Sequence, residues 1–216
     1  MNHKEQLTAV LLFSGGVDST VLFYDLLKQG VRLHCLLMHY GQKHVKELNY
    51  AQQHCRDAGV SHDVIALPRE PFQGSTLTGG NGAMSGGSTV VPNRNAVMIS
   101  MATACAKSRG FSHVAVGCNA DDSEIYPDCR PEFIAAMSHA IDLACGVRIH
   151  APFLGVCKSE IIAIGRRLRV DFSKTWSCYA GDVRPCGECG ACNVARAAFE
   201  KDARSEMQQR NQAIGL

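Results

Sequence analysis

The 216-residue sequence has no apolar run approaching the length of a membrane span, so a helical membrane protein is not expected. Its first residues, Met1 to Gln6, lead into an apolar stretch without the core of a signal peptide, which points to a cytoplasmic protein. It also lacks an excess of charge. Lysine and arginine total 22 against 20 acidic residues, and a net charge of +2 gives no electrostatic reason to bind nucleic acid directly. Aromatic residues are sparse at 6%, with a single tryptophan, while 46% hydrophobic and 19% charged residues is ordinary globular composition. Cysteine is the exception to this scarcity. Eleven of them, an odd number in a chain of ordinary domain length, read as free thiols plus a metal site in a reducing compartment rather than a disulfide frame.

The central stretch is Phe13-Ser14-Gly15-Gly16-Val17-Asp18-Ser19-Thr20. The apolar run Ala9 to Phe13 leads in, and the helical pattern Val21, Leu22, Tyr24, Leu26, Leu27 leads out, which predicts strand, tight turn and helix start. Gly15 and Gly16 permit positive φ and close approach of a ligand, and the turn and helix N-terminus aim backbone N–H groups at one spot that favours phosphate. A Walker-type loop would carry a lysine; this one carries hydroxyls (Ser14, Ser19, Thr20) for phosphate oxygens and Asp18 for a magnesium ion. The plainer alternative is that Asp18 or Ser19 only caps the helix.

Downstream, apolar strands are expected at Val31–Met38, His62–Leu67, His113–Cys118 and Val147–Pro152, alternating with helical patterns. With the first strand this predicts an α/β fold: a doubly wound, mostly parallel five-stranded sheet with ligands at the carboxyl ends of its strands. Tyr40, Gln42 and His44 fall at such an end and are candidate site residues, against the alternative of a plain polar loop. Residues 68–92 show no periodicity, and the glycine-rich part Gly74 to Gly87 is read either as a flap over the nucleotide or as an idle surface loop. Asn93 is a candidate N-cap. Arg94 and Lys158 each sit in the first turn of a helix, against its dipole, so both are assigned to anions: Arg94 to phosphate or a substrate carboxylate, Lys158 to an anion. Asp121, Asp122 and Glu124 crowd four positions and call for a nearby cation. Pro131 starts another helix.

Cys178, Cys186, Cys189 and Cys192 follow as C-x7-C-x2-C-x2-C, with Gly187 and Gly190 loosening the turns between them. Four sulfurs suit one structural zinc. An iron–sulfur cluster is the competitor, although the x3-C-P continuation of the ferredoxin run is missing. A closing helix is expected over Asn193 to Ala203, with a frayed tail after Arg204.

SGGVDST resembles the signature of the N-type ATP pyrophosphatases, in which the loop grips pyrophosphate while the α-phosphorus of ATP is attacked and a substrate is adenylated. SGGVDST, YGQKH, VPNRN, YPDCRPEF, CKSEI and SCY with CGECGAC, taken in this order from Leu11 to Phe199, resemble the QueC family of 7-cyano-7-deazaguanine synthases. The resemblance implies an adenine nucleotide alpha hydrolase-like domain over 1–172 and a zinc-binding subdomain over 173–216. It implies conversion of 7-carboxy-7-deazaguanine and ammonia, with ATP and magnesium, to the nitrile through an adenylated carboxylate and an adenylated amide, in a homodimer. It also implies roles. Asp18, Ser19, Arg94 and Lys158 serve the chemistry, Phe13 to Thr20 bind ATP, and Tyr40, Gln42, His44, Arg94, Asp122, Tyr126, Asp128 and Arg130 hold the substrate. The chain departs from the family pattern at Glu124-Ile125 and at Asn93. Three other readings stay open: a related enzyme that stops at the amide, a tRNA-thiolation-type enzyme, and a zinc module without catalysis.

Overall fold

The computed structural model describes residues 6–78, 89–180 and 183–213. Five strands, β1 (Thr8–Leu12), β2 (Arg32–His39), β3 (Ser61–Ala66), β4 (His113–Ala115) and β5 (Arg148–His150), form one sheet in the order β3-β2-β1-β4-β5. Every pairing is parallel, as the alternation of strand and helix predicts. The strand order reverses between β1 and β4, which places a crevice at the carboxyl end of β1.

The central strands are apolar because both faces are covered. Ala9 and Leu11 of β1 and Cys35 and Leu37 of β2 pack toward α1 (Val17–Lys28), α2 (Lys46–Asp57) and α6 (Lys158–Arg167). The alternate residues, Val10, Leu36 and Met38, pack toward α3 (Arg94–Ser108) and α5 (Pro131–Cys145). This two-residue alternation serves two cores at once, and each fully buried Leu or Phe contributes roughly 1.5–3 kcal/mol. β3 is an edge strand, with Val64 half exposed.

Three local expectations are corrected. Residues 120–125, where no helix is expected from the sequence, form the short helix α4 (Ala120–Ile125), because the Asn119 side chain accepts from Asp122 N at 2.9 Å and starts the turn. The described part of the aperiodic segment holds two 3₁₀ turns, Glu70–Phe72 and Thr76–Thr78, whose Phe72 and Leu77 pack with Tyr40 and Val91. The stretch Gly79 to Gly87, and with it the expected flap, lies outside the described residues. The closing helix α7 runs Gly190–Ala213, longer at both ends than the expected span. Its tail does not fray at Arg204, because Arg166 of α6 pairs with Asp202 at 2.6 Å and Glu206 at 3.4 Å.

Candidate active site

The loop after β1 makes a different use of each glycine. Gly15 has φ +82°, and a Cβ there would lie 2.2 Å from the Glu47 carbonyl oxygen, so α2 packs directly on the loop. Gly16 is extended and precedes α1, whose N-terminus has no side-chain cap. Neither Asp18 nor Ser19 therefore takes the capping role. Ser14 Oγ accepts from Gly16 N at 3.2 Å and bonds Ser19 Oγ at 3.0 Å, so the hydroxyls pre-shape the turn. Thr20 is fully buried, and its Oγ1 has no partner among the described residues. A helix N-terminus left uncapped over such a turn suits an anion.

This loop forms one wall of a cleft of about 360 Å³, within the usual range for a small-molecule site. Lys158, the first residue of α6, reaches across to Asp18 Oδ2 at 3.2 Å, while its backbone N donates to Asp121 Oδ2 at 2.8 Å. It supplies the expected cation for Asp121 and Asp122, while Glu124 of the same crowd is exposed. Burial by itself would lower the lysine pKa, but Asp18 and Asp122 overcome that and raise it. Burial raises Asp122, which faces the cleft and accepts from Asn119 Nδ2 at 2.9 Å.

Arg94 begins α3. One guanidinium nitrogen donates to Tyr40 Oη at 3.1 Å, the group lies 5.4 Å from the Tyr40 ring centre, and its Nε is buried without a partner. Among the described residues it forms no direct ion pair, so a partly buried positive charge faces the cleft, with the Asp128 carboxylate acting on it only from a distance. His44 and Glu47 line the same wall, with His44 Nε2 3.5 Å from Glu47 Oε1. Burial pushes Glu47 up to about 8 and, with the Arg94 charge second, pushes His44 down to about 4. Glu47 escapes sequence reasoning because it looks like a surface residue opening a helix. On a third side Tyr126 Oη bonds Thr89 Oγ1 at 3.0 Å and Tyr179 Oη at 3.4 Å.

Some candidates stand behind the wall. Gln42 is buried; it accepts from Tyr40 N at 2.8 Å and donates to Met38 O and Glu47 Oε1, bracing the turn rather than lining the cleft. Asp128 Oδ2 accepts from Asn95 N at 2.9 Å, supplying the cap that Asn93 does not. Asn93 is exposed at φ +58°, a conformation asparagine tolerates better than most residues, and lies off the cleft wall. Arg130 is exposed and donates to Ser123 O at 3.3 Å. Of the two departures at 124–125, only Ile125 reaches the wall.

The cysteine cluster borders the cleft. The Sγ atoms of Cys178, Cys186, Cys189 and Cys192 all lie within 4.8 Å of one another, and the N–H groups of Glu188 and Cys189 point at Cys186 Sγ at 3.5 and 3.3 Å. Four converging sulfurs, with Cys178 Sγ and Cys186 Sγ both receiving backbone N–H bonds, fit a thiolate-bound metal such as zinc. The cluster is tied to the nucleotide loop through Trp176, whose N donates to Gly15 O at 3.0 Å and whose Nε1 donates to Cys178 O at 2.9 Å. Trp176, Ser177 and Tyr179 complete the cleft wall. The spacing of the cysteines announces a metal, but not that its loop closes the site.

Among solved structures, the U34-tRNA thiolase NcsA from Methanococcus maripaludis, described with its [4Fe-4S] cluster, shares the fold at TM-score 0.55 and 15% identity, over 93% of this chain and 74% of that one. NMN synthetase from Francisella tularensis does so at TM-score 0.53 and 14% identity, over 94% and 89%. Proteins named 7-cyano-7-deazaguanine synthase are much closer in sequence. The one from Pseudoalteromonas atlantica is 40% identical over 204 residues, covering 89% of this chain and 94% of its own. That from Methanoregula boonei is 39% identical over 206 residues, covering 90% and 95%. The family model described as queuosine biosynthesis protein QueC matches residues 8–203, and the chain belongs to the QueC family.

Proposed function

We propose that the chain is an ATP-dependent ligase of queuosine biosynthesis, a 7-cyano-7-deazaguanine synthase. It converts 7-carboxy-7-deazaguanine and ammonia into the nitrile. The observation that carries the reading, beside the family match, is the pairing of an uncapped α1 N-terminus with two partly buried cations, Arg94 and Lys158, in one cleft. Such a set is suited to a triphosphate and to charge developing on its α-phosphate.

Backbone N–H groups of the loop and the hydroxyls of Ser14 and Ser19 hold pyrophosphate. Asp18 would hold a magnesium ion, which would neutralise the phosphates when bound. Lys158 then follows the α-phosphate. Arg94 takes the substrate carboxylate, with Tyr40, Asp122 and Tyr126 around the heterocycle. Gln42 and Asp128 act by positioning, and Arg130 is set aside from the substrate. The four cysteines hold one structural zinc, and 173–216 acts as a metal-bound closure of the nucleotide domain. Cytoplasmic location and a homodimer fit this reading; among the described residues no helix is long and apolar enough to cross a membrane.

The test is product analysis with 7-carboxy-7-deazaguanine, ATP, magnesium and ammonium. The expected result is nitrile with two AMP and two pyrophosphate per turnover. ADP and phosphate as products, or turnover that needs tRNA, would overturn the reading.

A further inference from the structure

One buried side chain of the cleft has a polar atom with nothing to bond. His44 is 7% exposed and lines the cleft, and its Nδ1 has no hydrogen-bond partner among the described residues. Leaving a buried polar group unpaired costs roughly 1–3 kcal/mol, so such an atom at a cleft wall points to a ligand that meets it. The other ring nitrogen faces Glu47 Oε1 at 3.5 Å, a separation that is long for a hydrogen bond but of the kind that tightens when a site fills. Gln42 Nε2 donates to the same Glu47 oxygen at 3.3 Å and fixes its aim. The Glu47 backbone packs on Gly15, which sets the pair directly beside the nucleotide loop.

We propose that His44 and Glu47 form a proton-accepting dyad that removes a nitrogen-bound proton from the substrate as the nitrile forms. The proposal rests on the functional reading above and supplies the base that reading leaves unnamed. In the second half of the reaction the amide oxygen attacks the α-phosphorus of ATP, and the P–O bond to pyrophosphate breaks with its electron pair leaving on pyrophosphate. The adenylated amide still carries two N–H protons. Forming C≡N requires that both leave and that the C–O bond break with its electrons departing on AMP. One proton passes to His44 Nδ1 while His44 Nε2–H passes to the Glu47 carboxylate. The second leaves on the phosphate of AMP. The sum is amide plus ATP giving nitrile, AMP, pyrophosphate and two protons, with no oxidant or reductant.

The electrostatics agree. Facing the dyad are Arg94 from α3, whose charge lowers both groups, Gln42 from the turn below, and the Tyr179 ring 5.5 Å from His44. With burial pushing Glu47 up to about 8 and His44 down to about 4, the pair holds one proton at neutral pH and gives it up through about pH 8. The accepting form therefore grows as pH rises.

The test uses synthetic amide and ATP without ammonium, so that ammonium ionisation does not enter. Nitrile is followed from pH 6 to 9, and exchange of labelled pyrophosphate into ATP reports the adenylation step separately. The parent should gain about tenfold per pH unit below about pH 8 and then level off. Glu47→Gln should lose that limb. His44→Phe should form nitrile about 10²–10⁴-fold more slowly, with pyrophosphate exchange falling far less than nitrile formation. His44→Gln, smaller and polar, should behave alike, which guards against a folding defect in either variant. A parent that makes no nitrile from amide and ATP would overturn the functional reading and the dyad with it. An active parent whose variants keep the pH limb, or change only KM, would overturn the dyad alone.

Discussion

Replacing Lys158 by methionine tests the charge balance of the site. The Lys158 and Asp18 side chains are 15% and 18% exposed and meet at 3.2 Å, and Asp121 and Asp122 also act on the lysine. Methionine keeps much of the stem and removes the charge, leaving three carboxylates close together with only the more distant Arg94 acting on Asp122. The variant has one escape, which is to bind a proton. For an ordinary aspartate with pKa near 3.9, protonation at pH 7 costs about 4 kcal/mol at 1.36 kcal/mol per unit. That is the ceiling, and partial solvent access brings the expected loss to about 2–4 kcal/mol. At pH 5 the same proton costs about 1.5 kcal/mol. A carboxylate whose folded pKa is raised destabilises increasingly as pH climbs above its unfolded value. The gap between parent and Lys158→Met should therefore shrink by about 2 kcal/mol from pH 7 to pH 5. Urea unfolding of both proteins at both pH values measures it, and pyrophosphate exchange should fall by about 10²–10³-fold in the variant. Equal stabilities at pH 7, or a gap that does not move with pH, would refute the argument.

Two further perturbations address the loop and the metal. Gly15→Ala must place a Cβ 2.2 Å from Glu47 O and 2.9 Å from Ala51 N at φ +82°, so it should cost about 3 kcal/mol or more and displace Glu47, whereas Gly59→Ala, at φ +64° with nothing within 4 Å, should cost only about 1–2 kcal/mol; paired thermal melts compare them. Cys189→Ser should lower metal content and melting temperature together and shift the emission of Trp176, the only tryptophan, because the cluster loop carries its partner Cys178 O. Elemental analysis of the parent giving iron in place of one zinc per chain, or a metal-free Cys189→Ser protein as stable as the parent, would count against a structural zinc.

What was legible from the residues divides along a physical line. The parallel sheet, its layer architecture and the loop after the first strand follow from apolar runs alternating with helical patterns and from a glycine turn, all local signals, and the structure agrees with them, while the strand order is seen only in the structure. Lys158 and Arg94 were legible because a cation in the first turn of a helix violates a local rule, and such violations mark places where another part of the chain supplies the reason. For Lys158 that reason is Asp18, 140 positions earlier; for Arg94 the structure offers a tyrosine face and hydroxyl but, among the described residues, no direct ion pair. Long-range polar pairings left no such mark. Asp128 looks like a ligand in YPDCR until Asn95 N, on a different helix, is seen to need its oxygen. Glu47 looks like a solvated helix start until Gly15 and Gln42 press against it. Tyr179 was hidden beside a cysteine whose metal role absorbed attention, though the four-sulfur cluster and the nucleotide loop are bridged through Trp176 in two hydrogen bonds. The cysteine cluster thus borders the cleft wall. Loss of metal should reach the active site as displaced aromatic side chains before it reaches the sheet, whose two cores contain none of the four cysteines.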